Sequence, residues 1–121
     1  MARFLISFDA GGMDHIPAEE MPDVGKAAHA VINEAVSAGV FVFGAGLESQ
    51  AASIVSTDGL VTDGPYPETK EVIGGFVVVE VGSRAEALPW AAKIAAACRC
   101  PQEVRELLPD SELDAILQGR I

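Results

Sequence analysis

The sequence is poor in positive charge and in cysteine, and each shortage excludes a class of protein. Eight lysine and arginine residues stand against eighteen aspartate and glutamate residues, which gives a formal net charge of −10. Nucleic acids and anionic membranes are bound by concentrated positive charge, so we expect neither as a direct partner. The two cysteines, Cys98 and Cys100, are one residue apart, a spacing that rarely closes a disulfide. We therefore expect two reduced thiols.

Long apolar runs and clustered metal ligands are also missing. No stretch approaches the roughly 20 apolar residues of a membrane-spanning helix. The apolar run from Phe4 to Phe8 ends in Asp9 and is too short for the core of a secretion signal. The two histidines, His15 and His29, lie far in sequence from the cysteines, so no metal-ligand set is apparent. We accordingly predict a cytoplasmic protein that uses neither a metal ion nor a cofactor.

The apolar patterns along the 121 residues predict a single α+β domain. Alternating or continuous apolar segments predict strands, and apolar residues at every third or fourth position predict helices. In chain order they indicate a strand at 4–9, a helix at 22–38, a buried strand at 40–47, a hairpin with arms at 52–56 and 60–62, a strand at 73–81, a helix opened by the capping-box spacing of 83–86, a strand at 103–108 and a short helix at about 110–119. This order predicts a ferredoxin-like split β-α-β fold with an inserted hairpin, in which the strand at 73–81 is central and buried on both faces.

Two helices can cover only one face of such a sheet, so the second face needs another cover. Burial of apolar surface contributes about 25 cal/mol per Å², which favours association of an open sheet face before entropic costs are subtracted. We therefore predict a homodimer packed sheet to sheet.

The connector between the hairpin and the next strand, residues 61–76, concentrates turn chemistry and titratable groups. Asp63-Gly64-Pro65 is typical of a sharp turn, and the side chains of Glu68, Lys70 and Glu71 follow it. The carboxylates could divide acid and base duties, and the lysine could hold an anionic substrate. The alternative is a structural Asx turn followed by a solvated group of ion pairs.

Three motifs of the connector resemble the signature of the DGPF branch of the YCII-related proteins: Asp63-Gly64-Pro65-Tyr66, Glu68-Thr69-Lys70-Glu71 and Gly74-Gly75-Phe76. Further matches lie at Glu86-Ala87, Trp90-Ala91 and Glu103-Val104-Arg105. The likeness runs roughly from Phe4 to Pro109, with Tyr66 where the family name has phenylalanine. The resemblance implies a small ferredoxin-like α+β fold, a dimeric α/β-barrel-type assembly, and a cleft whose substrate is mostly unassigned.

Two histidines and an arginine complete the candidate site. The shorter YCII proteins are thought to pair a histidine of the first helix with an aspartate, and His29 lies on the predicted first helix; the alternative is an ordinary surface histidine. His15 lies in an acidic loop that could cover a cleft and contact a substrate. Arg105 could bind a carboxylate bidentately, or it could pair with Glu103 or Glu80 at an edge.

Two kinds of function follow from these patterns. The first is a small cofactor-independent enzyme that performs hydrolysis, elimination or isomerisation on a small molecule in a cleft between sheet and hairpin. Its acid–base candidates are Asp63, Glu68, Lys70, Glu71 and His29, and its substrate contacts are His15, Tyr66 and Arg105. The second is a non-catalytic module that binds a small ligand or a protein partner in a regulatory role.

Overall fold

The structure is a computed structural model that describes residues 1–48, 52–66 and 72–119. Within these residues the chain forms six strands and three helices. They are β1 Ala2–Asp9, α1 Met21–Ser37, β2 Phe41–Gly46, β3 Ser53–Val55, β4 Val61–Asp63, β5 Ile73–Val81, α2 Arg84–Cys98, β6 Glu103–Glu106 and α3 Ser111–Gln118. A short 3₁₀ helix, Ala18–Glu20, leads into α1. None of the helices in the described part of the chain combines the length and the apolar character needed to cross a bilayer.

Four of the strands form one antiparallel sheet with the order β2-β5-β1-β6. The central pair runs from Ala2 opposite Val81 to Phe8 opposite Gly75. The sheet and its helices make a mixed α+β architecture that is compatible with a ferredoxin-like fold, and the prediction that the strand at 73–81 is central is confirmed. In the described part of the chain, β3 and β4 pair with each other in a separate two-stranded sheet. This is the inserted hairpin that the sequence predicts.

The core lies between α2 and one face of the central strand pair. Phe4 and Ile6 of β1 and Val79 and Val81 of β5 are almost fully buried, and Ala87 of α2 packs against them. These strand residues share one face because side chains alternate along a strand. Full burial stabilises each large apolar side chain by roughly 1.5–3 kcal/mol relative to exposure. Helix α2 is thus the element that closes the core.

In the described part of the chain no helix packs extensively on the other face of the sheet, and α3 approaches it only through Asp114, whose Oδ1 lies 3.6 Å from Nη1 of Arg3. Leu5, Phe76 and Val78 point to this open face and are half-buried, and Phe43 is 58% exposed. The prediction that β5 is buried on both faces therefore holds only on the α2 side of the isolated chain. We call this surface the open sheet face.

The prediction that the strand at 40–47 is buried is wrong for the single chain. Strand β2 lies at the edge of the sheet and pairs only with β5, so most of its residues are exposed, including Val42 and Phe43. A continuous apolar run does not distinguish a central strand from an edge strand. At Gly44 the backbone of β5 lies directly beside the strand, so that a side chain would have little space.

The helix ends follow the sequence signals with one departure. Pro22 lies in the first turn of α1, and Gly39 follows its end with φ 75°. At the start of α2, the backbone N–H of Gly82 donates to Oε2 of Glu86 at 2.9 Å, while the hydroxyl of Ser83 makes no capping hydrogen bond. The capping box predicted at 83–86 is therefore only half formed, with the carboxylate bonded one residue earlier than expected.

We expect alanine at Gly44 and Gly46, two positions of β2, to have opposite effects on stability. A Cβ at Gly44 would lie 2.8 Å from Cγ1 of Val77 and 2.9 Å from the carbonyl oxygen of Phe76, whereas a Cβ at Gly46 would meet no atom within 4 Å. Gly44→Ala should lower the free energy of unfolding by about 1–3 kcal/mol through overpacking. Gly46→Ala should leave it unchanged or raise it by about 0.5–1 kcal/mol. Urea unfolding measures both, and equal effects would contradict the close approach at Gly44.

Candidate functional site

A cavity with a volume of about 350 Å³ lies between α1, α2 and the sheet. We call it the helix–sheet cavity. Its α1 wall is formed by Met21, Val24, Gly25, Ala28, His29 and Ile32. Strands β1, β2 and β5 form the opposite wall, and Ile94 and Cys98 of α2, Gln102 and Met13 of the loop after β1 complete it.

The helix–sheet cavity exists because small residues face each other across the gap. Helix α1 presents Gly25 and Ala28, and β2 presents Gly44, Ala45 and Gly46. The helix packs chiefly on α2 rather than on the central strands, so it does not close onto the sheet at this end. The cavity is open to solvent on one side, and its volume is within the range of small-molecule sites.

The described residues that line the helix–sheet cavity are mostly apolar and include no aspartate, glutamate, lysine or arginine. Its polar side chains are His29, Gln102 and the thiol of Cys98. His29 is an exposed residue of α1, so its imidazole reaches both the cavity and solvent. An imidazole can accept and donate a proton, and proton exchange with water requires such access. The arrangement therefore couples an apolar binding space to one acid–base group.

The two cysteines are free and buried, and Cys98 lines this cavity. Burial raises the pKa of the Cys98 thiol, and the neighbouring Cys100 raises it further. Burial likewise raises the pKa of Cys100, although a hydrogen bond from Gln102 works in the opposite direction. Both thiols are thus held in the protonated form, which is a poor nucleophile and a poor metal ligand. In residues 1–48, 52–66 and 72–119, no three histidine, cysteine, aspartate or glutamate side chains converge as a metal site.

A second cavity of about 250 Å³ lies on the open sheet face. Leu5, Ser7, Asp9, Ile73, Glu103 and Arg105 line it. Nε of Arg105 lies 2.7 Å from Oε1 of Glu103, and the arginine side chain is 71% exposed. Of the two roles predicted for Arg105, the ion pair with Glu103 is present, and the guanidinium borders a cavity at the same time.

The remaining described candidates lie apart from both cavities. Asp63 is the last residue of β4, opposite Ser53, and is exposed. Tyr66 is 61% exposed, and His15 is exposed in the loop before α1. Neither cavity is lined by Asp63, Tyr66 or His15. Among the residues that the structure describes, these three are therefore not brought together with His29.

Glu68, Lys70 and Glu71 lie outside the described residues. The connector is described again from Val72, whose backbone N–H donates to Oδ1 of Asp9 at 3.3 Å and whose carbonyl accepts from the N–H of Ala10 at 2.7 Å. Val72 also lines the second cavity. The connector thus returns to the sheet at the rim of that cavity.

Sequence reasoning missed the walls of the helix–sheet cavity, and Gly25 was the available signal. A glycine inside a helix is less favourable than alanine by about 1 kcal/mol, so helix propensity does not explain its presence in α1. Gly25 lines the cavity, and the space left by its missing side chain is the structural explanation. Gln102 and Met13, the other missed lining residues, carry no pattern that distinguishes them from ordinary loop residues.

The fold and its cavities define a small α+β protein with an apolar site between helices and sheet. The YCII-related domain family matches residues 13–109, and the chain belongs to this family. A comparison with curated proteins found no match. The family match spans the helix–sheet cavity's α1 wall, the hairpin and β6, so the candidate residues all fall within it.

We expect Cys98 to be alkylated by iodoacetamide at least roughly tenfold more slowly in the folded protein than in urea at the same pH, because the reactive thiolate is suppressed by burial. Cys100→Ala isolates the Cys98 signal, and mass spectrometry follows the reaction. Since folding raises the pKa of Cys98, the protonated thiol contributes stability that is present below the unfolded pKa and is lost as pH rises through the folded pKa. Equal alkylation rates in the folded and unfolded states would contradict this environment.

Proposed function

We propose that the protein is a small cofactor-independent enzyme that acts on a small molecule in the helix–sheet cavity, with His29 as an acid–base group. The observation that carries the proposal is that His29 lines an otherwise uncharged cavity of about 350 Å³. Ligand sites are typically concave and mostly apolar, with a few polar groups that orient the ligand. An imidazole beside such a ligand can take a proton and return it during hydrolysis, elimination or isomerisation.

We also propose that the protein belongs to the DGPF branch of the family and that its connector takes part in the reaction. The support is its motif sequence, with Asp63, Glu68, Lys70 and Glu71 as further acid–base candidates. His15, Tyr66 and Arg105 are the proposed substrate contacts. The support for a role of Arg105 is that it borders the second cavity, at which the connector returns to the sheet.

We further propose a single-domain, cytoplasmic homodimer of the dimeric α/β-barrel type, formed through the open sheet face. The half-buried Phe76 and Val78 and the exposed Phe43 supply apolar surface there, and the rings of Phe43 and Phe76 lie 6.1 Å apart. The ion pairs Arg3–Glu80 and Arg105–Glu103 belong to residues of the same face. An apolar centre with charged groups beside it is the usual composition of a protein interface.

A non-catalytic module that binds a small ligand or a protein partner in a regulatory role is the second candidate. The observation that favours it is the separation of Asp63, Tyr66 and His15 from both cavities. Among the described residues, a ligand in the helix–sheet cavity would then meet His29 without a carboxylate partner of the kind that a catalytic pair uses.

We expect His29→Gln to lower turnover by about 10²–10⁴-fold without a change in melting temperature, because glutamine keeps hydrogen bonding but cannot exchange a proton. Asp63→Asn and Lys70→Ala should act in the same direction. A small-molecule panel followed by thermal shift identifies the substrate, and steady-state kinetics measures the variants. Lys26→Gln, on the exposed side of α1, is the matched control. Full turnover in all three variants would favour the binding module, and a lowered melting temperature would indicate a structural role.

We expect Phe43→Glu to raise the dimer dissociation constant at least roughly tenfold, because two copies of an unpaired carboxylate would enter the interface. Leu108→Glu is the control, since Leu108 is exposed and follows β6 rather than lying in the sheet. Sedimentation velocity over a concentration series measures both variants. A wild-type protein that stays monomeric at every concentration would contradict the proposed assembly.

A further inference from the structure

We infer that the helix–sheet cavity accepts an uncharged, largely apolar molecule and that Gly25 sets the length of the molecule that fits. The inference rests on the proposed function and adds to it a substrate class and a specificity-determining residue.

The lining of the helix–sheet cavity favours a neutral ligand. Among residues 1–48, 52–66 and 72–119, no side chain with a fixed charge lines it, so an ion entering the cavity would lose hydration without gaining a partner from these residues. The net charge of −10 also repels anions at long range. The side chains of His29 and Gln102 can each form a hydrogen bond, whereas Met13 and Met21 offer adaptable apolar contacts. These features fit an apolar molecule with one hydroxyl or carbonyl group.

Gly25 has no backbone or packing requirement that would explain a glycine. It lies inside α1, and its φ is not in the left-handed region. An added Cβ would meet no atom within 4 Å, so no neighbour approaches too closely for a side chain. Glycine is nevertheless the weakest helix former apart from proline. What the residue does in the structure is line the helix–sheet cavity, where the missing side chain leaves volume for a ligand.

Ala27, on the same helix, provides a matched comparison. It lies two positions further along α1, is exposed, and does not line the cavity. Leucine at position 25 would enter the free space beside the cavity, whereas leucine at position 27 would extend into solvent. Both substitutions add apolar volume to the same helix with a residue that favours helix formation. A difference between them therefore reports on the cavity and not on the helix.

The test is calorimetric titration of para-alkylphenols, from methyl to hexyl, into the wild type and the two leucine variants. Wild-type affinity should rise about fourfold with each added methylene until the cavity is filled. Gly25→Leu should bind the shortest phenols about as tightly as the wild type and the longest at least tenfold more weakly. Ala27→Leu should follow the wild type throughout. Thermal unfolding checks that both variants are folded, and Gly25→Leu should melt at a higher temperature than the wild type.

Matched para-alkylbenzoates test the charge selectivity, and we expect them to bind at least tenfold more weakly than the phenols of equal length. Equal binding of benzoates, or no binding of any phenol to the wild type, would overturn the substrate class. Unchanged chain-length dependence in Gly25→Leu, or an equal loss in both leucine variants, would overturn the role of Gly25. If the wild type binds phenols while the His29→Gln variant keeps full turnover, the enzymatic proposal is overturned. The inference about the cavity would stand in that case.

Discussion

The structure depends on the packing of α2 against one face of the central strand pair. Phe4 and Ile6 of β1 and Val79 and Val81 of β5 are sealed by the small residues Ala87 and Ala91, which let the helix approach closely. Because α2 occupies this position, α1 packs on α2 and toward the edge strand instead of on the centre of the sheet. The helix–sheet cavity is the space left by that arrangement. The position of α2 therefore determines both the core and the candidate site.

Surface charge contributes little to holding these elements in place. One exposed ion pair joins Glu34 of α1 to Lys93 of α2, and a second joins Glu20, the residue before α1, to Arg99, the residue after α2. Exposed pairs of this kind typically contribute about 0–1 kcal/mol each and weaken with salt. The position of α1 is therefore determined mainly by buried residues such as Val24 and Ala35. Salt, which weakens these pairs, should therefore change the position of the α1 wall of the cavity very little.

Local patterns predicted the elements of the fold but not their spacing. The alternation of Phe4, Ile6 and Phe8 predicted β1 and its buried face, because a strand's period is a property of the backbone itself. The burial of β2 could not be predicted in the same way, since its edge position depends on strand order. The helix–sheet cavity depends on how far α1 stands from the sheet, which is decided by packing between elements distant in sequence. Of its residues, only His29 was predicted as a candidate, and Gly25 was visible in the sequence but unexplained.

Phe8 lines both cavities and lies against bare backbone. A Cβ on Gly75, its partner in β5, would fall 2.6 Å from the edge of the phenyl ring, so the ring occupies the space that a side chain would otherwise fill. By strand alternation the ring lies on the face of Phe4 and Ile6, which is the side of the helix–sheet cavity. Any side chain at position 75 would have to displace this ring, so the shape of the helix–sheet cavity depends on a glycine of the neighbouring strand.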